Sequence, residues 1–111
     1  MENFEQNCRR SEPRYDSYLS SILIKKGQEF YTTIVNISAT GLGMLSNIKL
    51  ELHDIVEVIF AHNDFAEPLS LKMRVHTCAA EEDEYRIGGS LAELSLDYHY
   101  FFSNMTMLRE K

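Results

Sequence analysis

Residues 69–78 alternate between side chains suited to a core and side chains suited to water. The positions expected to face a core are Leu69, Leu71, Met73, Val75 and Thr77. The positions expected to face solvent are Ser70, Lys72, Arg74, His76 and Cys78. A period of two is typical of a β-strand that packs one face against a core and leaves the other in water. This segment therefore favours a fold built on a half-buried sheet.

Five further β-rich runs occur at short intervals, separated by turn-forming residues: 18–24, 30–37, 42–45, 55–60 and 85–91. After Ser95, the expected N-cap, the period becomes helical. The apolar stripe of this helix consists of Tyr98, Phe101, Phe102, Met105 and Leu108. The pattern predicts a mainly all-β fold, a small six-stranded antiparallel β-barrel with one C-terminal α-helix (about 95–109) packed over an opening.

The chain has 111 residues, 44% hydrophobic and 25% charged, which fits one globular domain. Residues 1–16 are polar and without periodicity, so we interpret them as a leader that carries the first three arginines; we predict that it is flexible over 1–8 and that a single domain extends over 9–111. No apolar run approaches the roughly 18 to 20 residues that span a bilayer. The first residues also lack the basic and apolar regions of a signal peptide. We therefore expect no membrane insertion and a cytoplasmic location.

Arginine is concentrated near the start of the chain, where three of the six arginines lie within residues 9–14. Arg10 and Arg14 frame the spacing R-x-x-x-R, with Pro13 between them. An arginine fork binds phosphate bidentately, contacts the O6/N7 edge of guanine or lies flat on a base. The net charge of −6 disfavours long nucleic acid as a partner, since such binding depends on neutralising many phosphates. A small anion held at one place fits both observations.

A second motif, N-x-S-x-x-G, lies at the junction between two predicted strands. Asn36 offers an amide that both donates and accepts hydrogen bonds, and Ser38 offers a small hydroxyl. Gly41 allows the backbone to bend or to approach a ligand closely. These groups are suited to polar edges rather than to charge. By contrast, Gly43, Gly88 and Gly89 are expected to relieve strand curvature.

An R-x-x-x-R motif followed about twenty residues later by [D/N]-x-S-x-x-G resembles the PilZ domain family, whose members bind cyclic di-GMP. The resemblance extends from Arg9 to about Leu108 and implies the same barrel. It implies that Arg10 and Arg14 contact the phosphates and guanine faces of the ligand. Arg9, directly before the motif, would add stacking or a phosphate contact, and the residue there influences whether one or two nucleotides are held.

The resemblance further implies that Asn36 and Ser38 bind the polar edges of the ligand, while Gly41 lets the loop come close. The predicted function is a cyclic di-GMP receptor whose arginine-rich leader changes conformation on binding. The signal would pass by protein contacts to an unidentified partner, such as motility, adhesion or exopolysaccharide machinery. The alternative is a PilZ-like adaptor that binds no nucleotide and acts only by protein–protein interaction; the presence of both motifs argues against it.

Catalysis and metal binding find no support in the sequence. There is no G-x-S-x-G elbow, and a hydrolase triad cannot be composed from spacing alone. The histidines show neither H-x-x-x-H nor Cys–His spacing: His53, His62, His76 and His99. We therefore predict no enzyme activity, no catalytic residue, no metal site and no cofactor apart from the cyclic di-GMP ligand.

Overall fold

Six antiparallel strands close into a barrel, and a helix follows the last of them. A computed structural model describes residues 13–62 and 65–109, without the side chains of 108 and 109. The elements are β1 (Tyr15–Lys25), β2 (Gln28–Ile37), β3 (Gly41–Ser46), β4 (Ile55–Phe60), β5 (Leu69–Glu81), β6 (Glu84–Leu91) and α1 (Leu96–Arg109). The strand order around the barrel is β1-β2-β3-β6-β5-β4. The predicted fold is confirmed.

Two tight turns join neighbouring strands and fix their registers. Lys26 and Gly27 connect β1 to β2, with φ angles of 52° and 81°. Two successive positive φ angles give a turn whose twist matches that of the flanking strands, and glycine adopts such an angle without strain. Glu82 and Asp83 form a two-residue connection between β5 and β6, in which only Glu82 has a positive φ, of 55°.

The helix α1 closes one opening of the barrel with an aromatic face. Tyr98 and Phe101 are 1% and 0% exposed and belong to the same core as the inward residues of the strands. The ring of Phe101 packs edge-on against Phe60 at the end of β4, with 5.2 Å between centroids. Phe102 and Met105 are half-buried against this core. The predicted stripe is thus confirmed for these four residues, while the side chain of Leu108 lies outside the described part.

The start of α1 is fixed by the predicted cap. The backbone N–H of Tyr98 donates to Ser95 Oγ at 3.1 Å, and the N–H of His99 donates to the Ser95 carbonyl at 3.0 Å. The first amides of a helix have no carbonyl group one turn earlier to donate to. The side chain of a serine at the N-cap accepts a hydrogen bond from the third of these amides instead. Ser95 is therefore the N-cap.

One prediction about β5 is wrong, because the alternation reverses near its middle. Thr77, expected to face the core, is exposed, and Cys78, expected to face solvent, is half-buried against the core. The register shifts between the pairs Val75↔Gly89 and Thr77↔Gly88. His76 is thus an extra residue in β5, and such a β-bulge reverses the faces of all residues that follow. As a result, His76 and Thr77 both lie on the outer surface.

Candidate ligand-binding site

The two sequence motifs meet where β1 begins. β1 starts at Tyr15, three residues earlier than the apolar run predicts, because residues 15 and 16 pair with Ile37 and Asn36 at the end of β2. Arg14 therefore lies directly beside β2. Its Nη1 donates a hydrogen bond to Asn36 Oδ1 at 3.2 Å. The last arginine of the first motif and the first residue of the second are thus in contact.

Asn36 is turned away from the core by a bulge in β2. Under strict alternation Asn36 and Ile34 would share a face, and Ile34 is 0% exposed. The register shifts between these two residues, with Val35 as the extra one, so Asn36 is half-exposed. Opposite lies Gly43, where a Cβ atom would come within 2.5–2.8 Å of the Asn36 amide atoms. The missing side chain of Gly43 makes room for the asparagine.

The loop that carries Ser38 and Gly41 is held by a hydrogen bond within the loop and by further hydrogen bonds from β6 and α1. Within the loop, Ser38 N–H donates to the Gly41 carbonyl at 3.0 Å, and from the end of β6, Leu91 N–H donates to the Thr40 carbonyl at 2.7 Å. From α1, the Tyr98 hydroxyl lies 2.5 Å from the Ser38 carbonyl and 3.2 Å from the Gly41 carbonyl. The loop backbone therefore has little freedom to change shape.

The strands β3 and β6 approach closely at Gly41. A Cβ atom placed there would overlap the carbonyl oxygen of Gly89 in β6. Since this neighbour is backbone, it cannot rotate aside. Gly41 is therefore needed for the packing of β3 against β6.

A cavity of about 210 Å³ joins these groups to the outer face of β5 and β6. Its lining residues are Arg14, Ser38, Thr40, Gly41, His76, Thr77, Gly88, Gly89 and Ser90. Arg14 is the only one of these with a permanent charge, and none is a carboxylate, so an anion meets no repulsion from the described lining. The three glycines contribute no side chains, so this part of the cavity wall is backbone. His76 Nε2 and Ser90 Oγ, 2.7 Å apart, form a polar edge.

Sequence reasoning missed the contribution of β5 and β6 to this cavity. His76 and Thr77 reach it because of the bulge, which leaves no trace in the apolar pattern. The sequence shows Gly88 and Gly89 as a pair, and the expectation drawn from them is only a relief of strand curvature. A pair of adjacent glycines within a strand also indicates close approach of another group, and that signal could have found the site.

The predicted site residues divide into two groups. Arg14, Ser38 and Gly41 line one cavity, and Asn36 is bonded to the first of them. Arg9 and Arg10 lie outside the described residues. Among residues 13–62 and 65–109, no three metal-ligating side chains are grouped as they would be around an ion.

The comparison with protein-family models identifies the PilZ domain over residues 9–100, a range that holds both motifs and the first turn of α1. The chain belongs to the PilZ domain family. PilZ domains form a family of cyclic di-GMP-binding receptors and are generally non-catalytic. Among curated proteins there is no match to this chain.

Solved structures share the PilZ fold at low sequence identity. The Bacillus subtilis inhibitor of motility MotI/DgrA superposes with a TM-score of 0.74 at 15% identity, covering 92% of this chain and 51% of that one. The K. pneumonia MrkH–c-di-GMP complex gives 0.70 at 14%, covering 93% and 56%. The PilZ domain with c-di-GMP of YcgR from Escherichia coli gives 0.64 at 12%, covering 92% and 95%. This PilZ chain thus spans about half the length of MotI/DgrA and MrkH.

Within the described part of the chain, α1 is too short and too polar to cross a membrane as a helix.

Proposed function

We propose that this PilZ chain is a receptor for cyclic di-GMP. The observation that carries the proposal is the hydrogen bond from Arg14 to Asn36, since it unites the two motifs at the rim of one cavity. A guanidinium suits the phosphodiesters of a cyclic dinucleotide, and a neighbouring amide and hydroxyl suit the edge of its guanine. Family membership supports the same ligand.

In this proposal each motif residue has a separate role. The Arg14 guanidinium binds a phosphate or covers a guanine face. Asn36 and Ser38 bind the guanine edge, and Gly41 lets the base approach the loop backbone. The polar edge formed by His76 and Ser90 adds contacts on the far side of the cavity.

The leader completes the site. At about 210 Å³ the cavity is smaller than the roughly 300–1,000 Å³ typical of small-molecule pockets, so it holds only part of a dinucleotide. We infer that Arg9 and Arg10 close over the rest of the ligand. Several charge-assisted contacts, each worth about 1.5–3 kcal/mol, offset the entropy of ordering this segment. Closure changes the surface offered to a downstream protein.

The first test is a calorimetric titration of the nucleotide-free protein with cyclic di-GMP. We expect saturable binding, with a stoichiometry of one or two ligands per chain. Cyclic di-AMP is the matched control, because it keeps the phosphodiester ring but lacks the guanine edge; we expect it to bind at least about tenfold more weakly, as for the loss of one or two hydrogen bonds. Absence of cyclic di-GMP binding at high micromolar concentration would contradict the receptor proposal and favour a nucleotide-independent adaptor.

The second test concerns closure of the leader. Saturation with cyclic di-GMP is expected to slow amide hydrogen exchange over residues 4–16 by about tenfold or more, because amides in a closed segment exchange only when it opens. Amides of β4, which does not line the cavity, serve as the reference. If binding occurs while exchange over 4–16 stays the same, the closure mechanism is wrong and the receptor function stands.

The output of the receptor would be a contact with an unidentified protein. Motility, adhesion and exopolysaccharide machinery are the classes of partner we propose. PilZ proteins are usually cytoplasmic, and we propose the same location for this chain.

A further inference from the structure

The Tyr98 hydroxyl links α1 to the loop that carries the second motif. It lies within hydrogen-bonding distance of two loop carbonyls, those of Ser38 and Gly41. These two residues are 60 and 57 positions away in sequence. The bond therefore joins parts of the chain that no local interaction would hold together.

The position of this hydroxyl is set by the start of α1. Tyr98 is 1% exposed, and its N–H is bonded to the Ser95 cap. Its ring stacks on Phe102 one turn later, with centroids 6.2 Å apart and planes inclined by 22°. Because its backbone is bonded to the cap and its ring packs on Phe102, Tyr98 is fixed to α1 and not to the loop. Loop and helix must move together, or the bond must break.

The same helix also contacts the residue that directly follows the first motif. The ring of Phe102 packs edge-on against Tyr15, with 5.7 Å between centroids. Tyr15 directly follows Arg14, whose guanidinium lies at the cavity. Neighbouring residues on α1 thus contact both segments that the ligand would bring together.

We propose that Tyr98 is a positioning residue of the ligand site, which couples the shape of loop 38–41 to the packing of α1. The inference rests on the proposed function, since it assigns a regulatory link to that same site. Tyr98 is buried and does not line the cavity, so it acts through the loop: it holds the Ser38 and Gly41 carbonyls so that the loop is already in its binding shape. Because coupling between two sites is reciprocal, a ligand that favours this loop shape also stabilises α1.

The decisive variant is Tyr98→Phe, which removes the hydroxyl and keeps the stacked ring. We expect its affinity for cyclic di-GMP to fall by about three- to tenfold, the value of one hydrogen bond. We also expect saturating ligand to slow amide exchange in α1 of the wild type and to slow it less in the variant. Thr32→Val is the matched control, because it also deletes one buried hydroxyl. The Thr32 hydroxyl is hydrogen-bonded to Ser21 Oγ at 2.6 Å and lies in β2, six residues before Ser38 in the sequence. This control should lower stability without changing affinity.

A ligand-free measurement separates this inference from the receptor proposal. In Tyr98→Phe alone, the amides of Ser38 and Leu91 should exchange faster relative to the β4 amides, because both bonds depend on the loop shape. In Thr32→Val the ratio should match that of the wild type. The coupling would be overturned if Tyr98→Phe left the ratio of Ser38 and Leu91 exchange rates to β4 exchange rates unchanged. It would also be overturned if that variant bound cyclic di-GMP with wild-type affinity. If the wild type binds no cyclic di-GMP, the receptor proposal fails and the exchange ratio still decides the role of Tyr98.

Discussion

Replacement of Arg14 by alanine is expected to weaken cyclic di-GMP binding by about 100-fold. A bidentate contact between a guanidinium and a phosphate is worth about 1.5–3 kcal/mol, and the upper end of this range corresponds to that loss. Arg14 supplies the only permanent charge among the described residues that line the cavity. Its side chain is exposed and donates a hydrogen bond to Asn36, an exposed contact, so its removal should change the free energy of unfolding little. Calorimetry measures the affinity.

Two control variants give this prediction its specificity. Lys49→Ala removes an exposed cation from the connection between β3 and β4, away from the cavity, and should keep wild-type affinity. Arg14→Lys should fall between wild type and Arg14→Ala, because lysine keeps the charge but not the planar fork. An equal loss for Lys49→Ala would mean that net charge, not a site, drives binding. We expect Arg10→Ala to behave like Arg14→Ala, as family resemblance implies.

The barrel was predictable because its signals are local. The alternation in β5, the Lys26–Gly27 turn and the Ser95 cap each occupy a few consecutive residues, and each has one physical interpretation. They were enough to predict six strands and a closing helix. The start of β1 was not predictable in this way, since Tyr15 joins the strand through pairing with Ile37 rather than through its own propensity.

The bulges were hidden from the sequence for a related reason. A bulge is a property of two paired strands. The sequence of one strand does not specify which residues of the partner strand it pairs with. The faces of Thr77 and Cys78 were therefore predicted the wrong way round. The bulge in β2 also decides that Asn36 points outward, a placement that only the family resemblance anticipated.

The grouping of residues in the candidate site was predictable only as far as the two motifs extend. The resemblance named Arg14, Asn36, Ser38 and Gly41, and these residues are brought together. It gave no indication of Tyr98, which was interpreted simply as part of the apolar stripe of a helix. A tyrosine hydroxyl that bonds to backbone 60 residues away leaves no pattern in the sequence.

Gly41→Ala is expected to lower the free energy of unfolding by about 2–3 kcal/mol, which is the upper part of the range for overpacking a filled site. The new methyl group would overlap the Gly89 carbonyl, and neither can move aside because the backbone of residues 41 and 89 is held in the ladder between β3 and β6. The strands must separate locally, and the loop with Ser38 must shift with them. Affinity for cyclic di-GMP should therefore fall as well. Urea denaturation measures the free energy of unfolding. The comparison holds if the dependence of that free energy on urea concentration is the same in the variant and the wild type.

Gly43→Ala is the matched comparison, because the same methyl group meets a different kind of neighbour there. Its Cβ would come within 2.5–2.8 Å of the Asn36 amide, which is the end of a side chain and can rotate away. Stability should then fall by only about 1 kcal/mol, since the overpacking is relieved by that rotation. The bond between Arg14 and Asn36 would be lost, and affinity should fall about tenfold. An equal loss of stability in the two variants would mean that the close packing of β3 against β6 does not require a glycine at position 41. The presence of Gly41 in the motif would then reflect ligand access alone.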